Sequence, residues 1–275
     1  MKRVLARELE FGVVDQGAGE PLVFVHGFPL SHALWNAQIP VFAAKHRVIA
    51  PDLRGFGSSV DTEGTVTMED FADDLAAILD RLEVKRPLVL CGLSMGGYIA
   101  WQFVRKYRPR LRGLVLCDTR ASADAPDVVE NRLKLAKLVT ESGTQPVAEA
   151  MLPKAVSPKT LADRPEVLDA VRGMMLAADP SGVAAASRGM AARPDMTALL
   201  ATIDLPTLVI VGADDMLTPV DEMRAMAAGI RGAQFQVVPA AGHLAPLENP
   251  SVFNALLAEF LDRVDYTARG QEGQE

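Results

Sequence analysis

Cysteine is nearly missing: two residues in 275, Cys91 and Cys117. That excludes a disulfide-built secreted scaffold and a cysteine-rich metal centre. Both fall in short apolar runs, where cysteine acts as a small core residue. Long hydrophobic runs are missing too. No stretch approaches the ~20 apolar residues that span a bilayer. The first eight residues, Met1 to Glu8, carry charges but no apolar core, so no signal peptide is expected. Positive charge is in deficit, 28 basic against 35 acidic residues for a formal charge of −7. That argues against a nucleic-acid partner. There is no internal repeat. The only low-complexity piece is the polar 267–275 tail, expected to be disordered. The absences together predict a soluble, cytoplasmic protein with no membrane contact.

Hydrophobic residues make up 49% of the chain, enough for a substantial core. Short apolar runs at Leu22–Val25, Arg47–Ala50, Leu88–Cys91, Leu111–Cys117, Leu208–Val211 and Gln234–Val238 read as strands. A further strand or two, broken near Gly12, is expected over Val4–Val14. Helical spacing separates the later runs, as from Thr67, where Asp70 completes a capping signature. Strands alternating with helices predict an α/β fold with a mostly parallel sheet covered on both faces. From Thr119 to about Leu200 the strands stop and four helical segments, Val128–Val139, Pro146–Leu152, Pro165–Ala178 and Ser181–Ala192, take their place. Thr218-Pro219 is expected to cap the next helix, and Ser251–Val264 to close the chain.

The most informative stretch is Leu88 to Trp101, LVLCGLSMGGYIAW. A strand turns at Gly92-Leu93-Ser94-Met95-Gly96 and continues as a helix. This is G-x-S-x-G in the context that makes a nucleophile elbow. The glycines leave room where backbone meets backbone. Met95 opens the helix, so its N–H lacks an intrahelical partner and suits a developing oxyanion. A second donor is expected from the loop after Leu22–Val25. Phe28 is the candidate, because Pro29 has no N–H.

A serine hydroxyl needs a base, and the base needs an orienting acid. His243 follows the last strand, where an open α/β sheet assembles its site. Among the other histidines, His26 is expected to brace its loop, His32 to line an entrance and His46 to lie exposed. The acid should sit on a strand-end loop between serine and histidine. Asp118, Asp214 and Asp215 qualify. Asp215 is preferred because a short turn separates it from Thr218-Pro219.

His26-Gly27-Phe28-Pro29, Asp52 to Ser59, Gly92 to Gly97, Gly212-Ala213-Asp214-Asp215 with Thr218-Pro219, and Gly242-His243 occur in an order that resembles the α/β-hydrolases. Within them the chain is most similar to serine carboxylesterases, to lactonases that open 3-oxoadipate enol-lactone, and to perhydrolases. The resemblance covers about residues 4–264. It implies an eight-stranded sheet, with residues 1–118 and 201–266 as the core and 119–200 as a helical cap. It implies a triad of Ser94, Asp215 and His243, with Phe28 and Met95 amides as oxyanion hole. Some members place the acid where Asp118 stands. Serine at the elbow separates the chain from haloalkane dehalogenases and epoxide hydrolases, which use aspartate. No acidic cluster of the aminopeptidase kind is identified in the cap.

The resulting expectation is a hydrolase for small carboxylic esters that needs no metal or organic cofactor. The alternatives are an enol-lactonase, an esterase with perhydrolase side activity, and a signalling receptor on the same fold. Gly27, Trp35, Leu93, Arg120 and Leu244 are the candidate pocket residues. Met151, Met174, Met175, Met190 and Met196 are expected mainly in packing, with a minority facing the site. Arg54 and Arg120 are expected chiefly as surface or loop-bracing charges, with either available to meet a substrate carboxylate such as an enol-lactone carries.

Overall fold

The computed structural model describes residues 1–272, with side chains through residue 265. Eight strands form one sheet in the order β1-β2-β4-β3-β5-β6-β7-β8. They are β1 (Lys2–Ala6), β2 (Leu9–Gln16), β3 (Pro21–Val25), β4 (Arg47–Pro51), β5 (Leu88–Leu93), β6 (Leu111–Cys117), β7 (Thr207–Gly212) and β8 (Gln234–Val238). β1–β2 and β2–β4 pair antiparallel, and all later neighbours pair parallel. Every residue of β3, β5 and β7 is buried. Strands buried on both faces need continuous apolar sequence, and these have it.

The break in the first strand pair lies at Arg7-Glu8, not near Gly12. Arg7 and Glu8 both adopt positive φ, 49° and 63°, as a two-residue hairpin turn requires. Gly12 sits inside β2. A Cβ there would lie 2.2 Å from Ser58 Oγ, so the glycine makes room for the loop after β4.

The helices are α1 (Ile39–Phe42), α2 (Met68–Arg81), α3 (Met95–Tyr107), α4 (Pro126–Ser142), α5 (Gln145–Ala155), α6 (Pro158–Asp163), α7 (Pro165–Ala177), α8 (Pro180–Ala191), α9 (Thr197–Leu200), α10 (Val220–Ala228), α11 (Ala245–Glu248) and α12 (Pro250–Glu272). Thr67 and Asp70 close a reciprocal capping box on α2. That helix buries Phe71, Leu75, Ile78 and Leu79 against one sheet face with Trp101 and Phe103 of α3. Each such side chain contributes about 1.5–3 kcal/mol relative to exposure. The opposite face is covered by Trp35, Phe253, Leu257 and Phe260. Cys91 and Cys117 are free, buried and 3.8 Å apart at sulfur.

Between β6 and β7 the chain leaves the sheet through α4 to α9. Prolines open α4, α6, α7 and α8 at the first helical position, where a missing N–H costs nothing. Ser157 and Asp179 cap α6 and α8. The short α6 has no counterpart among the expected segments. This excursion is tied to the core by close backbone approach. A Cβ on Gly182 would come within 2.4 Å of Gly55 Cα, and the Val66 amide donates to Ala185 O at 3.2 Å.

α12 runs to Glu272, past the expected end near Val264 and into the stretch expected to be disordered. Only Gly270 weakens helix formation there, and no proline intervenes. Residues 273–275 lie outside the described residues. Among the described residues no helix is long and apolar enough to cross a membrane.

Candidate active site

β5 ends at Leu93, and α3 begins at Met95. Ser94 alone makes the turn, with φ 55° and ψ −114°. A non-glycine residue there costs roughly 1–3 kcal/mol and must be held by its surroundings. The Ser94 amide donates to Cys117 O at 2.9 Å, and Thr119 Oγ1 donates to Ser94 O at 2.8 Å. The flanking glycines are required by space. A Cβ on Gly92 would lie 2.3 Å from Gly96 O, and one on Gly96 would lie 2.3 Å from Val25 O. The side chain of Ser94 reaches a cavity of about 320 Å³.

His243 lines the same cavity from the loop after β8. Its Nδ1 lies 2.8 Å from Asp215 Oδ2. Asp215 Oδ1 accepts the amides of Leu217 at 2.7 Å and Thr218 at 3.0 Å, and Thr218 Oγ1 donates to Oδ2. Burial works to raise the Asp215 carboxyl. The His243 charge and hydrogen bond, with the Thr218 donors, outweigh burial and hold it at about 2. Thr218 is therefore not the cap of α10. Pro219 takes the N-cap position, and the hydroxyl is engaged by the aspartate.

Asp214 is exposed. Asp118 is fully buried beside Asp215 and accepts the Gly212 amide at 2.8 Å. Burial and the neighbouring Asp215 push its carboxyl well above the usual range. Asp118, Asp215 and His243 form the one grouping of three ligand-type side chains among the described residues. The hydrogen bonds of Asp215 and His243 already occupy it.

Glu248 escaped the sequence reading. It is buried on α11 and accepts the amides on either side of the base, Gly242 at 2.8 Å and Leu244 at 3.3 Å. Its second oxygen accepts the Ser157 amide at 2.7 Å, joining the His243 loop to the helical excursion. Nothing in the local sequence marks a glutamate for this, because its partners are backbone.

Phe28 lines the cavity, and Gly27 packs beneath Ser94, where a Cβ would stand 3.2 Å from Ser94 Cβ. Of the other candidate pocket residues, Arg120 and Leu244 are on the wall. Trp35 is not. It is fully buried and stacks on Phe24 at 4.7 Å, behind the sheet. Leu93 is likewise buried within the second core layer. Both belong to the apolar core because the strand that carries Leu93 and the 3-10 helix His32–Trp35 turn these side chains inward.

His26 accepts the Leu53 amide on Nε2 at 3.0 Å, with Nδ1 2.9 Å from Gly27 O. Burial pushes its pKa down, so it braces the loop as a neutral ring. His32 does not reach the cavity wall; its ring is 2.8 Å from Asp52. His46, expected to be exposed, is only 5% exposed, because the turn before β4 folds it inward.

The excursion supplies the far wall with Met151, Met175 and Met190, three of the five methionines considered. It also supplies Arg132, a residue that no motif marks. Arg132 and Arg193 share one carboxylate, Asp124, and Arg132 Nη1 faces only the Met190 sulfur at 3.3 Å. Arg120 donates to Leu217 O, and its Nε lies 3.1 Å from Glu222 without hydrogen-bond alignment. Arg54 is committed to Asp74, away from the cavity.

A family model for the alpha/beta hydrolase fold matches residues 20–250. A solved structure of a thermophilic esterase from Thermogutta terrifontis, with malate bound, superimposes with a TM-score of 0.93. It is 46% identical and covers 96% of this chain and 98% of its own. The enol-lactonase from Burkholderia xenovorans superimposes with a TM-score of 0.87 at 25% identity, covering 95% of this chain and all of its own. 3-Oxoadipate enol-lactonase 2 of Acinetobacter baylyi is 27% identical over 92% of this chain and 91% of its own length.

Proposed function

The chain belongs to the α/β-hydrolase fold family, and on that premise we propose that it is a serine hydrolase cleaving small carboxylic esters. Ser94 attacks the carbonyl and passes its proton to His243. Asp215 holds the imidazole with Nδ1–H donated, leaving Nε2 to act as base. The amides of Phe28 and Met95 receive the tetrahedral oxyanion. His243 returns the proton to the leaving alcohol. Water, activated by the same ring, then releases the acyl group. Residues 119–200 act as a cap whose methionines form an adaptable apolar wall.

The observation that carries this reading is the 2.8 Å contact of Asp215 with His243 Nδ1, beside a cavity that His243 shares with the strained Ser94. A cavity of about 320 Å³ is at the small end for ligand sites and suits acyl chains of about two to six carbons. The test is steady-state hydrolysis of p-nitrophenyl acetate, butyrate and laurate. The short esters are expected to be turned over with the higher kcat/KM. Absence of turnover on all three, in folded protein, would contradict the reading.

Arg132 favours a second reading, in which the ester or lactone carries a carboxylate. A buried anion costs several kcal/mol unless a cation meets it. Arg132 supplies one, because Asp124 is shared with a second arginine and Nη1 holds only a thioether. The malate-bound esterase and the enol-lactonases among its relatives are consistent with such a substrate. Comparing a neutral ester with its carboxylate-bearing analogue, in the parent and in Arg132→Ala, separates the two.

A further inference from the structure

Asp118 is a fully buried ionisable group for which the reaction above has no use. It directly follows β6 with φ 45°, and its amide donates to Ile210 O at 3.0 Å. Oδ1 accepts the Gly212 amide. Oδ2 is buried and receives no hydrogen bond from any donor. One oxygen of Asp118, one of Asp215 and a ring nitrogen of His243 lie within 4.8 Å of one another. Two carboxylates this close and this dry do not both ionise. Asp215 has the donors that keep a carboxylate charged: two amides, a hydroxyl and the imidazole. Asp118 has one.

We propose that Asp118 stands in the folded protein as a neutral carboxylic acid that donates its O–H to Asp215, a positioning residue for the acid–base pair. The proton resolves both anomalies at once. It gives Oδ2 a partner, and it leaves one negative charge, not two, behind His243. The proton comes from solvent on folding, and no bond other than O–H forms. The ionisable groups facing Asp118 are Asp215, His243 and, at the end of the preceding strand, Cys117. The first two sit on the loops after β7 and β8. Burial and the Asp215 charge are the main causes that keep the Asp118 proton on.

The consequence is kinetic as well as structural. A further donor on Asp215 weakens its pull on the imidazole proton, so Asp118 sets where the acid limb of the pH–rate profile falls. The kinetic arm of the test rests on the serine-hydrolase reading; the spectroscopic arm does not. First, the infrared difference between the parent and Asp118→Asn is recorded at pH 7. The proposal expects loss of a protonated-carboxyl carbonyl band. Loss of an ionised-carboxylate band instead would overturn it, whatever the enzyme hydrolyses. Second, kcat/KM is followed against pH. Asp118→Asn keeps a donor to Asp215 and adds no charge change, so activity should stay within about threefold and the acid limb should not move. Asp118→Ala removes the donor, so the acid limb should move to higher pH by about half a unit or more. An acid limb moved downward in Asp118→Asn would mean that a charge was lost. A limb unmoved in Asp118→Ala would mean a purely structural residue. Either result overturns the proposal.

Discussion

Around Ser94 the positioning hydrogen bonds end on backbone groups, whereas the opposite wall of the cavity is made of side chains. The elbow is fixed by the Ser94 amide on Cys117, by two glycines that a Cβ would disrupt, and by Thr119 on the Ser94 carbonyl. The His243 loop is fixed by two amides on Glu248. Across the cavity, α4 to α8 present Met151, Met175, Met190 and Arg132, which alternative rotamers could rearrange. On the proposed reading, chemistry belongs to the strand ends and selectivity to the excursion. Changes in the first region should lower turnover on every substrate. Changes in the second should alter the ratio between substrates.

The largest effect expected is from Ser94→Ala. Turnover should fall by about 10⁴-fold or more on neutral and charged esters alike, as in other triads. The melting temperature should hold or rise, since a strained position loses only its hydroxyl. An effect confined to one substrate would break the division. Asp215→Asn should cost about 10³–10⁴-fold in kcat, again without substrate dependence, because the imidazole is left in the wrong tautomer. Steady-state kinetics on two esters of unlike charge checks both.

Arg132→Ala tests the other side. The preference for a carboxylate-bearing ester over its neutral analogue should fall about tenfold or more, with kcat on the neutral ester within about threefold. Equal losses on both esters would place Arg132 with the general machinery.

A smaller effect concerns pH and stability. Burial and the Asp215 charge raise Asp118 in the fold, so folding takes up a proton above the ordinary carboxylate range, and on the proposal above it does so up to neutral pH. Its contribution is fully present below the ordinary carboxylate range and is lost as pH rises through the folded value. Denaturant unfolding at pH 5 and pH 9 should therefore show a decline in the parent that Asp118→Asn lessens. Asp215 and Asp52, both held at about 2, work the opposite way. Their stabilisation is present above about pH 4 and is lost as pH falls toward 2. His26, kept neutral by burial, adds a loss that begins as pH falls below about 6.5. The smallest effect is expected from Met175→Leu, a volume-conserving change on the excursion wall. Stability should change by less than about 1.5 kcal/mol, with acyl-chain preference shifting before rate does.

The same division explains what could be read from the sequence. Strands buried on both faces announce themselves as apolar runs, and the elbow carries its glycines in the pentapeptide. While the number of strands, eight, followed from the family resemblance, the α/β fold with a mostly parallel sheet was therefore legible in the runs. So were the positions of Ser94, Asp215 and His243, each at the end of a strand. Glu248 and Thr218 were not. The glutamate acts through backbone amides, and the threonine resembles an ordinary helix cap until its hydroxyl is seen on Asp215. Arg132 was missed because a charged residue on an amphipathic helix normally faces water. Trp35, expected in the pocket, lies in the core because its position along the chain says nothing about which side of the sheet the short 3-10 helix His32–Trp35 will face. His46 differs for a related reason: it stands between two charged residues, Lys45 and Arg47, a pattern usual for a solvated turn, and the fold covers it.

The central claim is that Ser94 is activated by His243 and becomes covalently acylated. The most direct test is intact-protein and peptide mass spectrometry after treatment with an organophosphonate ester, which arrests a serine hydrolase at the covalent stage. We expect one phosphonyl group per chain on the Leu88–Trp101 segment at Ser94, absent in Ser94→Ala and greatly slowed in His243→Ala. Ester turnover by a protein that remains unlabelled at Ser94, or labels equally fast without His243, would contradict the account.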